Sequence, residues 1–381
     1  MKDILIIYGG GNIGSCILQL AKEFLSCKAF VLDSSEERLL TLSKQFKGVE
    51  NIEFCISKSE LESKLIPNST KVIVDCTPGV NSVNVASYAK AINASYVSLT
   101  EHVKETKEIE TILEDSNCPN VLQTGLAPGY VNVLGMRLYQ KAKEEYHFKR
   151  GKELKMMVGA LPQYSPKPHF YGFSWSPIGV ATEYIEDLEE VISGSLKNRK
   201  GLDFDSYENF YSNGCEYEAI STSGGIASVG KRLEKEFDFV SYKTIRNVGH
   251  FEWVQNLIEK NSKNKQPSVL ENELKKHIAI DNNDYVLIEV NLSFQTRSNE
   301  LIRLSESLKI EGKTIKGKYL SGIQLTTSSA ALEIVREIFE GKINKKGVVL
   351  QDQINPKIFL QSKIIKEIYG ELKICKNYAE N

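Results

Sequence analysis

The segment Gly9-Gly10-Gly11-Asn12-Ile13-Gly14 constrains this chain more than any other, because it lies between an apolar strand pattern and a helical one. The run Ile4–Tyr8 precedes it and an amphipathic pattern over 13–25 follows it. G-x-G-x-x-G in that setting answers three separate steric demands. Gly9 permits the tight turn, Gly11 lets a pyrophosphate approach the backbone, and Gly14 lets helix and strand pack closely. The helix N-terminus offers unpaired N–H groups and partial positive charge to phosphates. A glycine turn in a non-binding α/β domain is the alternative reading.

A second strand ends on Asp33. Its carboxylate is expected to accept hydrogen bonds from the adenosine ribose hydroxyls and to repel a 2′-phosphate. The pattern therefore predicts NAD, with NADP as the alternative because Arg38 is close enough to tolerate a phosphate. The loop Asp75-Cys76-Thr77-Pro78-Gly79 follows the fourth strand, where ligands of such sheets bind at the topological switch point. The candidate cofactor-binding residues are Gly9, Gly11, Asn12, Ile13, Gly14, Asp33, Thr77 and Pro78.

The first third alternates strand and helix throughout. Ile4–Tyr8, Ala29–Leu32, Ile52–Ile56, Val72–Cys76, Tyr96–Leu99 and Val121–Gln123 read as buried strands, separated by helical patterns at 13–25, 35–46, 59–65, 80–92 and 103–115. Strands apolar on both faces and joined by crossover helices predict a parallel sheet covered on both sides, a doubly wound Rossmann arrangement. Ser34 and Glu37 form a candidate capping box. After about residue 130 the pattern changes. A helix over Val131–Glu145 leads to a strand at Leu154–Ala160 and a Pro- and aromatic-rich stretch, Pro162–Pro177. Longer alternating strands follow at Tyr285–Phe294, Leu301–Lys309 and Thr314–Gln324, the last two joined through Glu311-Gly312-Lys313. This half reads as an α+β domain on a mixed or antiparallel sheet. Thr326 and Thr327 are candidate N-caps for a helix over Ser328–Glu340, with Gly341 ending it.

Composition narrows the function classes. Lys and Arg number 48 against 49 Asp and Glu, so no overall field attracts nucleic acid or an anionic membrane. The basic segment from Lys260 to Lys265 lacks interleaved aromatics and reads as a solvated loop. The seven cysteines are odd in number and form no CxxC pair, which predicts neither a disulfide framework nor a metal site, and suits a reducing cytoplasm. Ile4–Tyr8 is too short for a signal segment, and no later run approaches twenty apolar residues. Tyr139 and Lys143 match the Y-x-x-x-K of short-chain dehydrogenases, but the glycine spacing differs, so the match reads as chance.

Four later segments, Gly125-Leu-Ala-Pro-Gly-Tyr-Val-Asn132, Val158-Gly-Ala-Leu-Pro162, Tyr242-Lys-Thr-Ile-Arg-Asn-Val-Gly-His250 and Gly322-Ile-Gln-Leu-Thr-Thr327, together resemble the saccharopine dehydrogenase family. The lysine 6-dehydrogenase-like and saccharopine reductase-like branch looks closest. The resemblance implies a Rossmann domain over 1–130 and 322–381, a substrate-binding and dimerisation domain over 131–321, and a homodimer. It also implies oxidation of a C–N bond in a lysine-derived amino acid, or the reverse reduction of an imine. A carboxynorspermidine-type dehydrogenase and a non-catalytic NAD-binding sensor are the alternatives.

The chain departs from relatives at Ser98, where they often carry an acid, and at Val248 and Ser328. Glu101, just past a strand's carboxyl end, is the first candidate acid/base residue, against the bland reading of a helix first-turn Glu. Neighbouring His102 is the second. Arg246 is the candidate clamp for a substrate carboxylate, with His250 and Gly129 as further substrate-binding candidates. Tyr171 and Trp175 read either as pocket walls or as core.

Overall fold

The computed structural model describes residues 2–99, 103–260 and 265–378. Glu101 and His102 lie outside the described residues, as does the middle of the basic segment 260–265. The chain divides into two compact units, Met1–Tyr130 with Gln324–Gly370, and Val131–Ile323 with Glu371–Asn381.

In the first unit seven parallel strands form one sheet. Its order is Gly347–Val349, Pro119–Val121, Ser95–Ser98, Thr70–Asp75, Asp3–Tyr8, Lys28–Leu32, Ile52–Cys55. Ile4, Leu5, Ile6 and Ile7 are all fully buried, which is what a strand covered on both faces requires. Chain order reverses between Asp3–Tyr8 and Thr70–Asp75, whose ends meet at Tyr8 and Asp75. The glycine turn and the Asp75 loop therefore leave the sheet side by side at its switch point. Helix Asn12–Phe24 starts directly from that turn.

Two local expectations are corrected. The cap of helix Glu36–Gln45 is Ser35, not Ser34: its Oγ accepts the Arg38 amide. The sixth strand ends at Val121 instead of continuing to Gln123, because Gln123 turns to φ 57° and the Thr124 amide bonds the Ser98 carbonyl.

The second unit is built on a nine-stranded mixed sheet. Glu208–Ser212, Cys215–Ser221, Phe237–Asn247, Phe148–Pro162, Asp284–Thr296, Leu301–Glu311 and Cys375–Tyr378 run in that order. Leu188–Ile192 and Ser195–Arg199 branch from Phe237–Asn247. Phe237–Asn247 pairs parallel with Phe148–Pro162, and the other pairs are antiparallel. Fold class thus matches expectation: α/β, a doubly wound parallel sheet plus an α+β unit.

The expected strand Thr314–Gln324 does not form. Lys313–Ile315 and Lys318–Leu320 make their own hairpin through Lys316 and Gly317, both at positive φ. Helix Gly322–Phe339 begins four residues before the expected Thr caps. Its first amides, Gly322 and Ile323, donate to the Asp284 carboxylate at 2.6 and 3.2 Å. A carboxylate remote in sequence thus caps this helix, and Thr326 and Thr327 lie inside it. The tail beyond Gly370 also departs from the expected Rossmann return, since Cys375–Tyr378 extends the second sheet beside Leu301–Glu311.

Candidate functional site

The glycine turn fits a dinucleotide for reasons visible atom by atom. Gly9 sits at φ 102°, a region closed to most L residues. A Cβ on Gly14 would lie 1.9 Å from the Gly9 carbonyl oxygen, so close packing alone demands glycine there. Gly11 differs: a Cβ would meet nothing within 4 Å among the described residues. Its φ of −70° suits any residue. The protein itself makes no demand for glycine at this position, which is what a backbone approached by a ligand looks like. Gly11 is also the helix N-cap and makes no side-chain cap bond, and the first turn of the helix, with Asn12 and Ile13, carries no acidic residue. The amides there keep their positive field for an anion.

Asp33 is buried beside this turn. Its Oδ2 accepts the Gly10 amide at 2.7 Å and its Oδ1 the Ser35 amide at 2.8 Å. Arg38 Nη1 contacts both oxygens, at 2.9 and 3.2 Å. Burial alone would raise the Asp33 pKa, but the bonds from Ser35, Arg38 and Gly10 outweigh it and hold the carboxylate below its usual range. Across the switch point, Asp75 Oδ1 accepts the Thr77 amide and hydroxyl at 2.9 and 2.7 Å, and Oδ2 accepts Tyr96 Oη at 2.8 Å. The Thr77-Pro78 loop is therefore fixed from below by a buried carboxylate.

Ser98 is spent on structure. It is buried, its Oγ accepts the Gln123 amide at 3.1 Å, and its carbonyl accepts the Thr124 amide and hydroxyl. Gly129 closes a turn in which Gly125 and Gly129 bridge and the Tyr130 amide donates to the Gly125 carbonyl at 2.9 Å. A Cβ on Gly129 would stand 2.1 Å from that same carbonyl oxygen, so backbone closure requires this glycine. Ser328 is buried, and its hydroxyl donates to the Ile13 carbonyl.

In the second unit Arg246, Tyr184 and His250 form a buried polar chain. Arg246 lies on strand Phe237–Asn247, Tyr184 on helix Pro177–Ile185 and His250 at the start of helix His250–Glu259. Arg246 Nε donates to Tyr184 Oη at 2.8 Å, and Nη1 donates to the Ile245 carbonyl at 2.9 Å. Tyr184 Oη lies 2.9 Å from His250 Nε2, and His250 Nδ1 lies 2.6 Å from the His169 carbonyl oxygen. A carbonyl only accepts, so Nδ1 carries the proton and Nε2 accepts from Tyr184. Burial, then the Arg246 charge, push the His250 pKa down to about 3. His250 is a neutral link with both ring nitrogens engaged, so the geometry leaves it no free atom for substrate.

Arg246 itself is incompletely paired. Its Nη2 makes no hydrogen bond among the described residues and lies 3.7 Å from a Glu183 carboxylate oxygen. The guanidinium carbon stands 4.6 Å from the Tyr171 ring centroid. Tyr171 is both core and platform: fully buried, it also accepts a bond from Trp175 Nε1 at 3.2 Å. Glu218, opposite Arg246 in the sheet, turns to the helix start instead, accepting the Gly249 and Phe251 amides at 2.9 and 2.7 Å.

The sequence missed Tyr184, Glu183 and the His169 carbonyl, and read Asp75 only as part of the loop after the fourth strand. Asp75 alone had a local signal, a carboxylate two residues before a threonine at a strand end. Tyr139 and Lys143 both bond Glu236, a structural use that agrees with the chance reading.

Residues 125–374 match the family model described as the saccharopine dehydrogenase C-terminal domain. Over 210 residues the chain is 23% identical to the mitochondrial alpha-aminoadipic semialdehyde synthase of Rattus norvegicus, and over 205 residues 23% identical to that of Bos taurus. Each alignment takes in 52% of this chain and 22% of the relative, so the chain spans only that share of these curated proteins. Among solved structures it is similar to the apo saccharopine dehydrogenase (L-Glu forming) of Saccharomyces cerevisiae, with a TM-score of 0.76 at 14% identity over 98% of this chain and 100% of that one. It is also similar to the homospermidine synthase of Legionella pneumophila in complex with NAD, with a TM-score of 0.71 at 12% identity over 100% and 92%. At such identities the likeness concerns the fold.

Proposed function

The chain belongs to the saccharopine dehydrogenase family, and from that premise we propose that it is an NAD(P)-dependent oxidoreductase acting on the C–N bond of a lysine-derived amino acid. The nicotinamide ring, when bound, supplies the hydride acceptor or donor. The chain's own residues supply the rest. The turn Gly9–Gly14 holds the pyrophosphate, Asp33 meets the adenosine ribose, and Thr77 and Pro78 border the switch-point crevice.

Arg246 carries the substrate side of this reading. A buried guanidinium with a terminal nitrogen making no hydrogen bond among the described residues is suited to a carboxylate, whose two oxygens match the planar fork. Tyr184, His250 and Tyr171 keep that fork in one orientation. His250 is thus a positioning residue rather than a substrate contact. Gly129 contributes backbone shape. Oxidising an amine requires the neutral amine, and this reading assigns the proton to Glu101, with His102 beside it. The full reading is a homodimer in the cytoplasm. Family likeness supports the dimer, and seven cysteines, odd in number and without a CxxC pair, suit a reducing compartment. No helix among the described residues is long and apolar enough to cross a membrane.

The test is turnover. Purified protein is given NAD or NADP with saccharopine, lysine, a carboxylated polyamine, and the same amines without a carboxylate, while reduced nicotinamide is followed. Reduction is expected with a lysine-derived amino acid and not with its decarboxylated counterpart. Arg246→Gln should raise KM for that substrate by about 10- to 100-fold, the loss of one charge-assisted pair. No turnover with any substrate, or an unchanged KM in Arg246→Gln, contradicts the reading.

A further inference from the structure

The Asp33 carboxylate has no acceptor position left over. A carboxylate offers about four lone-pair sites. Here Oδ2 faces the Gly10 amide and Arg38 Nη1, and Oδ1 faces the Ser35 amide and the same Nη1. Two of these donors are backbone, fixed by the glycine turn and by the cap of helix Glu36–Gln45. The third is a side chain that can leave. Arg38 is 51% exposed in its side chain, against 5% for Asp33. Its own amide is anchored on Ser35 Oγ at 3.2 Å, so its base stays put while the guanidinium swings.

Two consequences follow for a dinucleotide on this turn. A ribose diol reaches Asp33 only by displacing Arg38, and a half-exposed ion pair is weak enough to be displaced. A 2′-phosphate meets a carboxylate whose charge is already balanced, beside a guanidinium whose fork suits phosphate oxygens. Asp33 alone would exclude the phosphorylated cofactor; Asp33 with Arg38 does not.

We propose that Arg38 is a specificity-determining residue, which lets this site accept both the 2′-hydroxyl and the 2′-phosphate form of the nicotinamide dinucleotide. The proposal rests on the reading that the glycine turn binds a dinucleotide.

The experiment is isothermal titration of the full chain with NADH and with NADPH. Wild type, Arg38→Gln, Arg38→Lys and Asp33→Asn are compared, with thermal melting to verify folding. The wild-type Kd values should lie within about tenfold of each other. Arg38→Gln should weaken NADPH by about tenfold or more and leave NADH unchanged or tighter, whereas Arg38→Lys should keep most of the NADPH affinity. Asp33→Asn should move the ratio the opposite way, toward NADPH. If Arg38→Gln leaves the ratio within about twofold of wild type, the role assigned to Arg38 is wrong while dinucleotide binding stands. If wild type binds neither nucleotide, the glycine-turn reading falls, and this inference with it.

Discussion

Replacing Tyr184 by Phe removes one oxygen atom and keeps the ring, so its energetic cost can be worked from two bonds. The hydroxyl accepts from Arg246 Nε at 2.8 Å and donates to His250 Nε2 at 2.9 Å. In Tyr184→Phe both partners stay buried and lose their bond. A charged donor left unsatisfied costs about 1.5–3 kcal/mol, and a neutral acceptor about 1–3 kcal/mol. Partial relaxation around the smaller side chain recovers some of this, so the expected loss is about 2–5 kcal/mol. Urea unfolding read by tryptophan fluorescence isolates it. The chain has two tryptophans, Trp175 and Trp253, and both pack on the apolar cluster that contains Tyr184, so the signal reports the second unit. The midpoint should fall with the slope unchanged. Tyr171→Phe is the control, because its hydroxyl accepts one neutral bond, from Trp175, and its loss should cost about 1 kcal/mol. A Tyr184→Phe loss below about 0.5 kcal/mol would refute the bridging role of that hydroxyl.

The glycine turn separates stability from binding. Gly14→Ala puts a Cβ where the Gly9 carbonyl stands and should cost both thermal stability and about tenfold in NADH affinity, whereas Gly11→Ala, with open space around it, should melt like wild type and still lose NADH affinity. A Gly11→Ala protein with wild-type affinity would count against a pyrophosphate at that backbone. In the first unit, burial and then the neighbouring Glu333 charge raise the Glu337 pKa to about 8. A raised carboxyl pKa stabilises the fold below the unfolded value near 4.5, and that contribution is lost as pH rises toward 8. Glu337→Gln should therefore gain thermal stability over wild type at pH about 8 and gain little at pH about 5. Equal shifts at the two pH values would contradict the assignment.

How far the sequence could be read depended on whether the decisive contacts were local. The strand Ile4–Tyr8 and the glycines after it carry their whole signal within a dozen residues, and the structure places them at the switch point of a parallel sheet. The strand Gly347–Val349 is three residues long, too short to show any period, and went unread. The caps Thr326 and Thr327 were misread because the real cap, Asp284, lies 38 residues upstream of Gly322. Arg246 was legible as a charged residue in a family-like segment, but its chain to Tyr184 and His250 was not. Tyr184 is 62 residues from Arg246, and nothing in its helix marks that hydroxyl. His250 shows the other side of the same limit: a histidine reads as a titrating group until burial and a guanidinium are seen to hold it neutral. Asp33 was legible as an acid at a strand's end beside the glycine turn, yet its occupation by Arg38 depends on a side-chain conformation that no spacing encodes.

The most direct test of the central claim follows one hydride. Saccharopine carrying deuterium on the carbons bonded to the bridging nitrogen is oxidised with NAD, and the recovered reduced nicotinamide is weighed by mass spectrometry. A reduced cofactor one deuterium heavier than that formed from unlabelled substrate is expected, formed more slowly by Gly14→Ala at subsaturating NAD. Reduced cofactor without deuterium, or substrate returned intact under conditions where NADH binds, would contradict C–N oxidation of this substrate class.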